Sequence, residues 1–396
     1  MKNKTTAAAA INRENLLRPV RRMVIKIGTR VLAPDNNTID IGRVKKIAKE
    51  IAGIHQLGID TIIVSSGAVG LGMGALGIKK RPQPVPKLQA TAAVGQNRLV
   101  HLYETVFNRY RKNVGQVLLT GSDLQNRKSY VNVRNTLLSL LDYKVIPVIN
   151  ENDSVGIEEL QPKTGRTGLV AGVRFGDNDT LSAQITNLVE ADLLVILTDI
   201  DGFFSADPKK DKTARLIETV DRITPQLEKR AGREGSLASV GGMKTKLKAA
   251  RIVVDSGRMM IIANGRKDSL QGILKGERVG TLFLPGRKKM SSRQQWIAFT
   301  SQSRGELTVD QGAYLALVKK GKSLLPSGIT GSAGSFTAGD YVVIKNTANK
   351  IFAKGKILFS SGQIKKVMGK KSAEVRKLLG KKKWDEAVHR DHLVIL

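Results

Sequence analysis

The 396-residue chain contains no cysteine. That excludes a disulfide framework and thiolate metal sites. Its four histidines, His55, His101, His389 and His392, lack the spacing of metal ligands. No apolar run approaches the length of a membrane span. The short alanine run Ala7–Ala10 is no sustained apolar core, so the N-terminus does not read as a secretory signal. Residues 1–19 are expected to form a disordered extension of a cytoplasmic protein. Aromatic residues are 4% of the chain. Acidic residues are also scarce: 34 against 66 Lys+Arg, a formal net charge of +32. Residues 281–396 carry 22 basic and 7 acidic side chains, and residues 1–280 carry 44 and 27. The C-terminal stretch is therefore the more basic per residue. Such a surplus attracts phosphate-bearing partners, nucleic acid above all, but it also describes a merely solvated surface.

What is present is an alternation of two periodicities. Apolar, β-branched runs occur at Met23–Ile27, Thr61–Val64, Val117–Leu119, Val145–Ile149, Leu193–Leu197 and Met259–Ile262. They read as strands buried on both faces of a parallel sheet. Helical patterns lie between them, as where Val44, Ile47, Ala48 and Ile51 share one face. Others run near Leu88–Tyr110, Val131–Leu141, Asp179–Val189 and Met243–Asp255. The reading is an α/β fold: a three-layer α/β/α open, mainly parallel sheet over residues 20–285. Ligands of such sheets bind beyond the carboxyl ends of the strands. A linker is expected at 286–303. Short strands with glycine turns then follow over 304–396, which suggests a small β-barrel-like domain.

Six polar clusters fall at strand ends or on the following helix. Lys26-Ile27-Gly28-Thr29 closes the first strand with a lysine whose burial is costly unless its charge is used. Ser65-Ser66-Gly67-Ala68 leads into glycines 72, 74 and 77, spaced as G-x-G-x-x-G. A dinucleotide site would need an acid about 20 residues on. None occurs from Thr61 through Tyr103, so that reading is rejected. Asn150-Glu151-Asn152-Asp153-Ser154 follows a buried strand and reads as a turn and cap or as a holder of an amino acid's charged groups. Gly176-Asp177-Asn178-Asp179-Thr180 reads as a helix cap, a substrate contact, or both. Thr198-Asp199-Ile200-Asp201-Gly202 offers carboxylates to a ribose, a magnesium ion or a lysine. Val240-Gly241-Gly242-Met243-Lys244-Thr245-Lys246 pairs small backbone with reaching lysines, as phosphate handling requires. No P-loop sequence and no protein-kinase motif set is present.

In this order the clusters resemble the amino acid kinase family, and more narrowly its members that phosphorylate glutamate. The C-terminal stretches Gly305–Asp310, Gly321–Pro326, Phe336-x-x-Gly339-Asp340 and Val388–Asp391 resemble a PUA domain. The resemblance implies ATP-dependent phosphorylation of the glutamate side-chain carboxylate, with Mg²⁺, as the first step of proline biosynthesis. It implies Lys26, Lys246 and Asp179 at the reacting groups. Lys26, Thr198, Asp199 and the Val240–Lys246 loop would hold ATP, and Ser66, Asp153 and Asn178 would hold glutamate. No metal ligand from the protein is assigned. It further implies proline as a feedback inhibitor, a downstream reductase, a dimer or tetramer, and RNA as a possible partner of the C-terminal domain. Four features depart from the pattern, one being Ser239-Val240 before Gly241-Gly242, where the family often has a more glycine-rich run. Arg30 stands where a small hydroxyl residue is common, Phe203-Phe204 replaces Leu-Tyr, and Gln161–Phe175 looks like an inserted loop.

Overall fold

The apolar runs become strands, most of them with little room for solvent on either face; the edge strand carrying Val117–Leu119 is the more open. In the computed structural model, which describes residues 12–33, 39–156, 177–208, 210–232, 242–286, 290–380 and 385–396, two compact units form. The first takes the described residues of 1–120, 132–161 and 175–289, and the second those of 121–131 and 290–396.

The first unit is built on β1 (Arg22–Ile27), β2 (Asp60–Ser65), β3 (Val114–Leu119), β4 (Ile146–Glu151), β5 (Leu193–Thr198), β6 (Thr219–Val220), β7 (Met259–Asn264) and β8 (Thr281–Phe283). Their spatial order is β3-β4-β2-β1-β5-β7-β8-β6. Strands β1 to β5 and β7 pair in parallel, while β8 runs antiparallel to β7 and carries β6 parallel to itself. All six expected strands are found. The two at the far edge were not anticipated, because two or three residues are too few to show a period. β4 and β5 are buried at every position, as a sheet covered on both faces requires.

Two local features position the polar groups. The helix Asn178–Leu188 is buried along its whole length and packs on β1, β2, β4 and β5. Asp177 caps it, its carboxylate accepting from the Thr180 N–H at 2.6 Å and the Thr180 hydroxyl at 2.9 Å. The helices Ala68–Ala75 and Val85–Asn108 cross at two glycines. A Cβ on Gly72 would stand 1.8 Å from the Thr91 carbonyl oxygen, and one on Gly95 would stand 1.7 Å from that of Ala68. Only glycine permits this approach. At the N-terminus, residues 13–17 form a helix inside the stretch expected to be disordered. The buried Arg13 guanidinium donates to the carbonyls of Val279 at 2.7 Å and Glu277 at 3.2 Å, just before β8.

The second unit contains β9 (Ser303–Val309), β10 (Ile329–Gly334), β11 (Tyr341–Lys345), β12 (Ile351–Ile357) and β13 (Val388–Ile395), ordered β10-β9-β11-β12-β13. The pairs are antiparallel except β9 with β11. Leu307, Val309, Val342, Ile344, Phe352, Ile357 and Val388 share its core. The helix Ser292–Phe299, within the expected linker, carries a capping box between Ser291 and Gln294. Its Trp296 donates from Nε1 to the Leu124 carbonyl at 2.9 Å, and the Arg127 guanidinium lies 5.3 Å from the Tyr130 and Trp296 ring centres.

Gly95→Ala should lower the free energy of unfolding by about 3 kcal/mol, because the helix crossing must open. Gly362→Ala, whose Cβ would meet nothing within 4 Å, should leave it within about 0.5 kcal/mol. Urea unfolding of both variants checks the contrast; equal effects would refute it.

Candidate active site

Lys26 lies near the end of β1 with its side chain only 9% exposed. A buried ammonium needs an anion, and the fold supplies Asp179 from the first turn of the buried helix. Lys26 Nζ is 2.7 Å from Asp179 Oδ1. Lys246 Nζ, from the first turn of the helix Met243–Asp255, is 3.2 Å from Oδ2. The Thr245 hydroxyl donates to Oδ2 at 2.7 Å. Burial by itself would raise the Asp179 carboxyl. The two lysine charges and the Lys26 and Thr245 hydrogen bonds outweigh it and hold the group at about 2. Burial pushes the Lys246 ammonium down, Asp179 opposes that, and the like charge of Lys26 adds to it. Two ammonium groups and one carboxylate leave this group one positive charge in surplus.

A second group continues from Asn178, the first residue of the same helix. Asn178 Nδ2 donates to Ser66 Oγ at 2.9 Å and to Asn150 Oδ1 at 3.2 Å. Asn150 Nδ2 donates in turn to Gln96 Oε1 at 2.8 Å. Asn150 and Glu151 end β4, and Asp153 follows it; all three are buried. A third group lies at the end of β5. The Thr198 hydroxyl donates to Asp199 Oδ1 at 3.2 Å, and Arg30 Nη1 is 3.2 Å from Asp199 Oδ2. Burial would raise the Asp199 carboxyl, but Arg30 and Thr198, with a backbone hydrogen bond, hold it below the usual range. Arg30 is therefore matched by an acid. Asp201 is engaged by Asn264 at 2.6 Å and Lys267 at 3.0 Å.

Lys26, Asp179, Thr245 and Lys246 are thus brought together, as are Ser66 with Asn178, and Thr198 with Asp199. Met243 is half-buried and Lys244 exposed in the turn that carries Lys246. Val240, Gly241 and the Gln161–Phe175 stretch lie outside the described residues. Among the described residues, no group of three or more His, Asp or Glu side chains is placed to hold a metal ion. Sequence reasoning missed Gln96. The available signal was a polar residue on the buried face made by Ala92, Gly95, Leu99 and Tyr103.

Residues 21–264 match the amino acid kinase family, and residues 305–379 match the PUA domain. The chain is thus an amino acid kinase followed by a PUA domain. Glutamate 5-kinase of Thermoanaerobacter sp. (strain X514) is 44% identical over 376 residues, covering 95% of this chain and 98% of that one. Glutamate 5-kinase of Geobacter sp. (strain M21) is 45% identical over 385 residues, covering 97% and 100%. A solved UMP kinase from Bacillus anthracis is 20% identical, covers 67% of this chain and 97% of its own, and has a TM-score of 0.44. With such identity over nearly the whole length, the chain belongs to the glutamate 5-kinase family.

The depressed Asp179 carboxyl sets an acid limit. Its ordinary value is 3.8 and its folded value about 2. A group depressed on folding stabilises fully above its unfolded pKa, and that contribution fades as pH falls through the folded value. The stability gap between the native protein and Asp179→Asn should stay constant from neutral pH to about 5 and shrink below about 4. Denaturant unfolding across pH measures it; an unchanged gap down to pH 2 would refute the pairing.

Proposed function

We propose that this enzyme transfers the γ-phosphoryl group of ATP to the side-chain carboxylate of L-glutamate, giving L-glutamate 5-phosphate, the first step of proline biosynthesis. The observation that carries the reading is the buried pair of lysines on one carboxylate, with its surplus positive charge at the strand ends. The reaction brings two anions together. The glutamate carboxylate is already ionised at neutral pH, so it needs no general base. Asp179, held at about 2, is a poor base at neutral pH. Its work is to hold the two ammonium groups in place. Lys26 and Lys246 then clamp the transferring phosphoryl group as charge develops toward ADP.

Thr198, Asp199 and the Val240–Lys246 stretch, whose last four residues open the helix Met243–Asp255, hold the nucleotide. Ser66, Asp153 and Asn178 hold glutamate, with Asp153 suited to its ammonium group. Mg²⁺, when bound with ATP, would supply neutralisation of the phosphate charge. The acyl phosphate product is labile, which calls for a reductase to consume it. Proline would act as feedback inhibitor at the glutamate pocket, in a cytoplasmic dimer or tetramer.

One observation favours an added role for the C-terminal domain: residues 290–396 carry 19 basic against 7 acidic residues. We propose RNA as its partner. The full chain should shift a labelled RNA at low salt and release it as salt rises, since counterions compete for phosphate contacts. No shift at low salt would end that role.

ADP formation should depend on glutamate and fail with aspartate, acetylglutamate or UMP. Lys26→Ala and Lys246→Ala should each lower kcat by about a hundred- to a thousand-fold. Turnover that is independent of glutamate, or variants at native rate, would overturn the assignment.

A further inference from the structure

Gln96 is a glutamine in the interior of the first unit. It is 9% exposed, on the buried face of the helix Val85–Asn108. Its oxygen is used: Oε1 accepts from Asn150 Nδ2 at 2.8 Å. Its nitrogen is not: Nε2 is buried with no hydrogen-bond partner among the described residues. An amide nitrogen carries two donors, and leaving them unmade in the interior costs as much as losing a hydrogen bond. Asn178, at the other end of the same chain of amides, also has its Oδ1 buried without a partner. Open valences at both ends of a connected polar network are the signature of a site completed by a ligand.

The network has a direction. Asn178 adjoins Asp179, which holds the two lysines. Asn150 is one amide further on, and Gln96 one beyond that. A glutamate whose side-chain carboxylate faces the lysines therefore directs its other end toward Gln96. The groups there are the α-ammonium, suited to Asp153, and the α-carboxylate, which needs donors. The helix crossing at Gly72 and Gly95 holds Gln96 in this place, because Gly95 is its chain neighbour.

Resting on the glutamate kinase reading, we propose that Gln96 is a specificity-determining residue whose Nε2 donates to the α-carboxylate of the amino acid substrate. It favours an ionised α-carboxylate, a charge-assisted acceptor, over a neutral α-group that accepts more weakly. Buried donors reject ligands that leave them unpaired by large factors.

The decisive variant is Gln96→Glu. It keeps an oxygen to accept from Asn150, replaces the free donor by a second acceptor and adds a negative charge facing the α-carboxylate. Gln96→Met removes both functions at similar volume. Steady-state kinetics on the full chain, with thermal unfolding alongside, should show KM for glutamate raised by about ten-fold or more in both variants, with KM for ATP within about two-fold. Isoglutamine, whose α-group is a carboxamide, supplies a cross-check as substrate or competitor. The preference for glutamate over isoglutamine should narrow by about ten-fold or more in Gln96→Glu, because that carboxylate accepts from the analogue's N–H₂. Should only Gln96→Met lose glutamate affinity, Gln96 acts through Asn150 alone and the proposal falls. An unchanged glutamate-to-isoglutamine ratio also overturns it. If native protein shows no glutamate-dependent ADP formation, the kinase reading itself has failed, a result distinct from either.

Discussion

The structure depends on one electrostatic constraint: a single carboxylate, Asp179, buried between two ammonium groups. Each partner would be intolerable alone. Lys26 lies on an interior strand and Lys246 on the first turn of a buried helix face, and neither reaches bulk water. Removing Asp179 would leave two like charges facing each other in a poor dielectric. With it, the triad carries one net positive charge. That residue of charge suits the site to an anion, and the low carboxyl pKa is the same pairing seen from the acid. The anchoring is therefore not separable from the chemistry, since the pairing that makes burial tolerable also aims the lysines.

The scaffold around the triad serves its placement. The helix Asn178–Leu188 is buried on every side, so its first turn cannot drift. Asp177 caps it from outside while Asn178 and Asp179 point into two adjoining polar groups. The glycine crossing of the neighbouring helices brings the buried face of the helix Val85–Asn108 within hydrogen-bond reach of β4, at Gln96 and Asn150. Backbone contact where a methyl would not fit is rigid, and rigidity is what a site working by positioning requires. Arg30 shows how a departure from pattern is absorbed, because its charge is met by Asp199.

Much of this was legible in the chain. The six buried strands announced themselves by apolar β-branched runs, and the strand-end position of each polar cluster followed from the parallel sheet. The Asp177 cap was legible for the same local reason. Edge strands β6 and β8 were not, being shorter than any period. The helix at residues 13–17 was hidden because it is stabilised by Arg13 bonding to carbonyls more than 260 residues away in sequence. Gln96 was hidden because a lone glutamine in a helix resembles a solvated one until its neighbours are known.

Residue order by itself determined the alternation of strand and helix, the change of character toward the C-terminus, and which polar clusters lie at strand ends. These are local properties, set by side-chain period, glycine and cap chemistry within a few residues. Only tertiary structure decided that Asp179 serves both lysines, that Arg30 answers Asp199, and that an amide chain runs from Ser66 to Gln96. Each of those pairings joins residues far apart in the chain. Sequence can name the charges, but their partners depend on distance and burial, which exist only once the sheet has closed its neighbours around them.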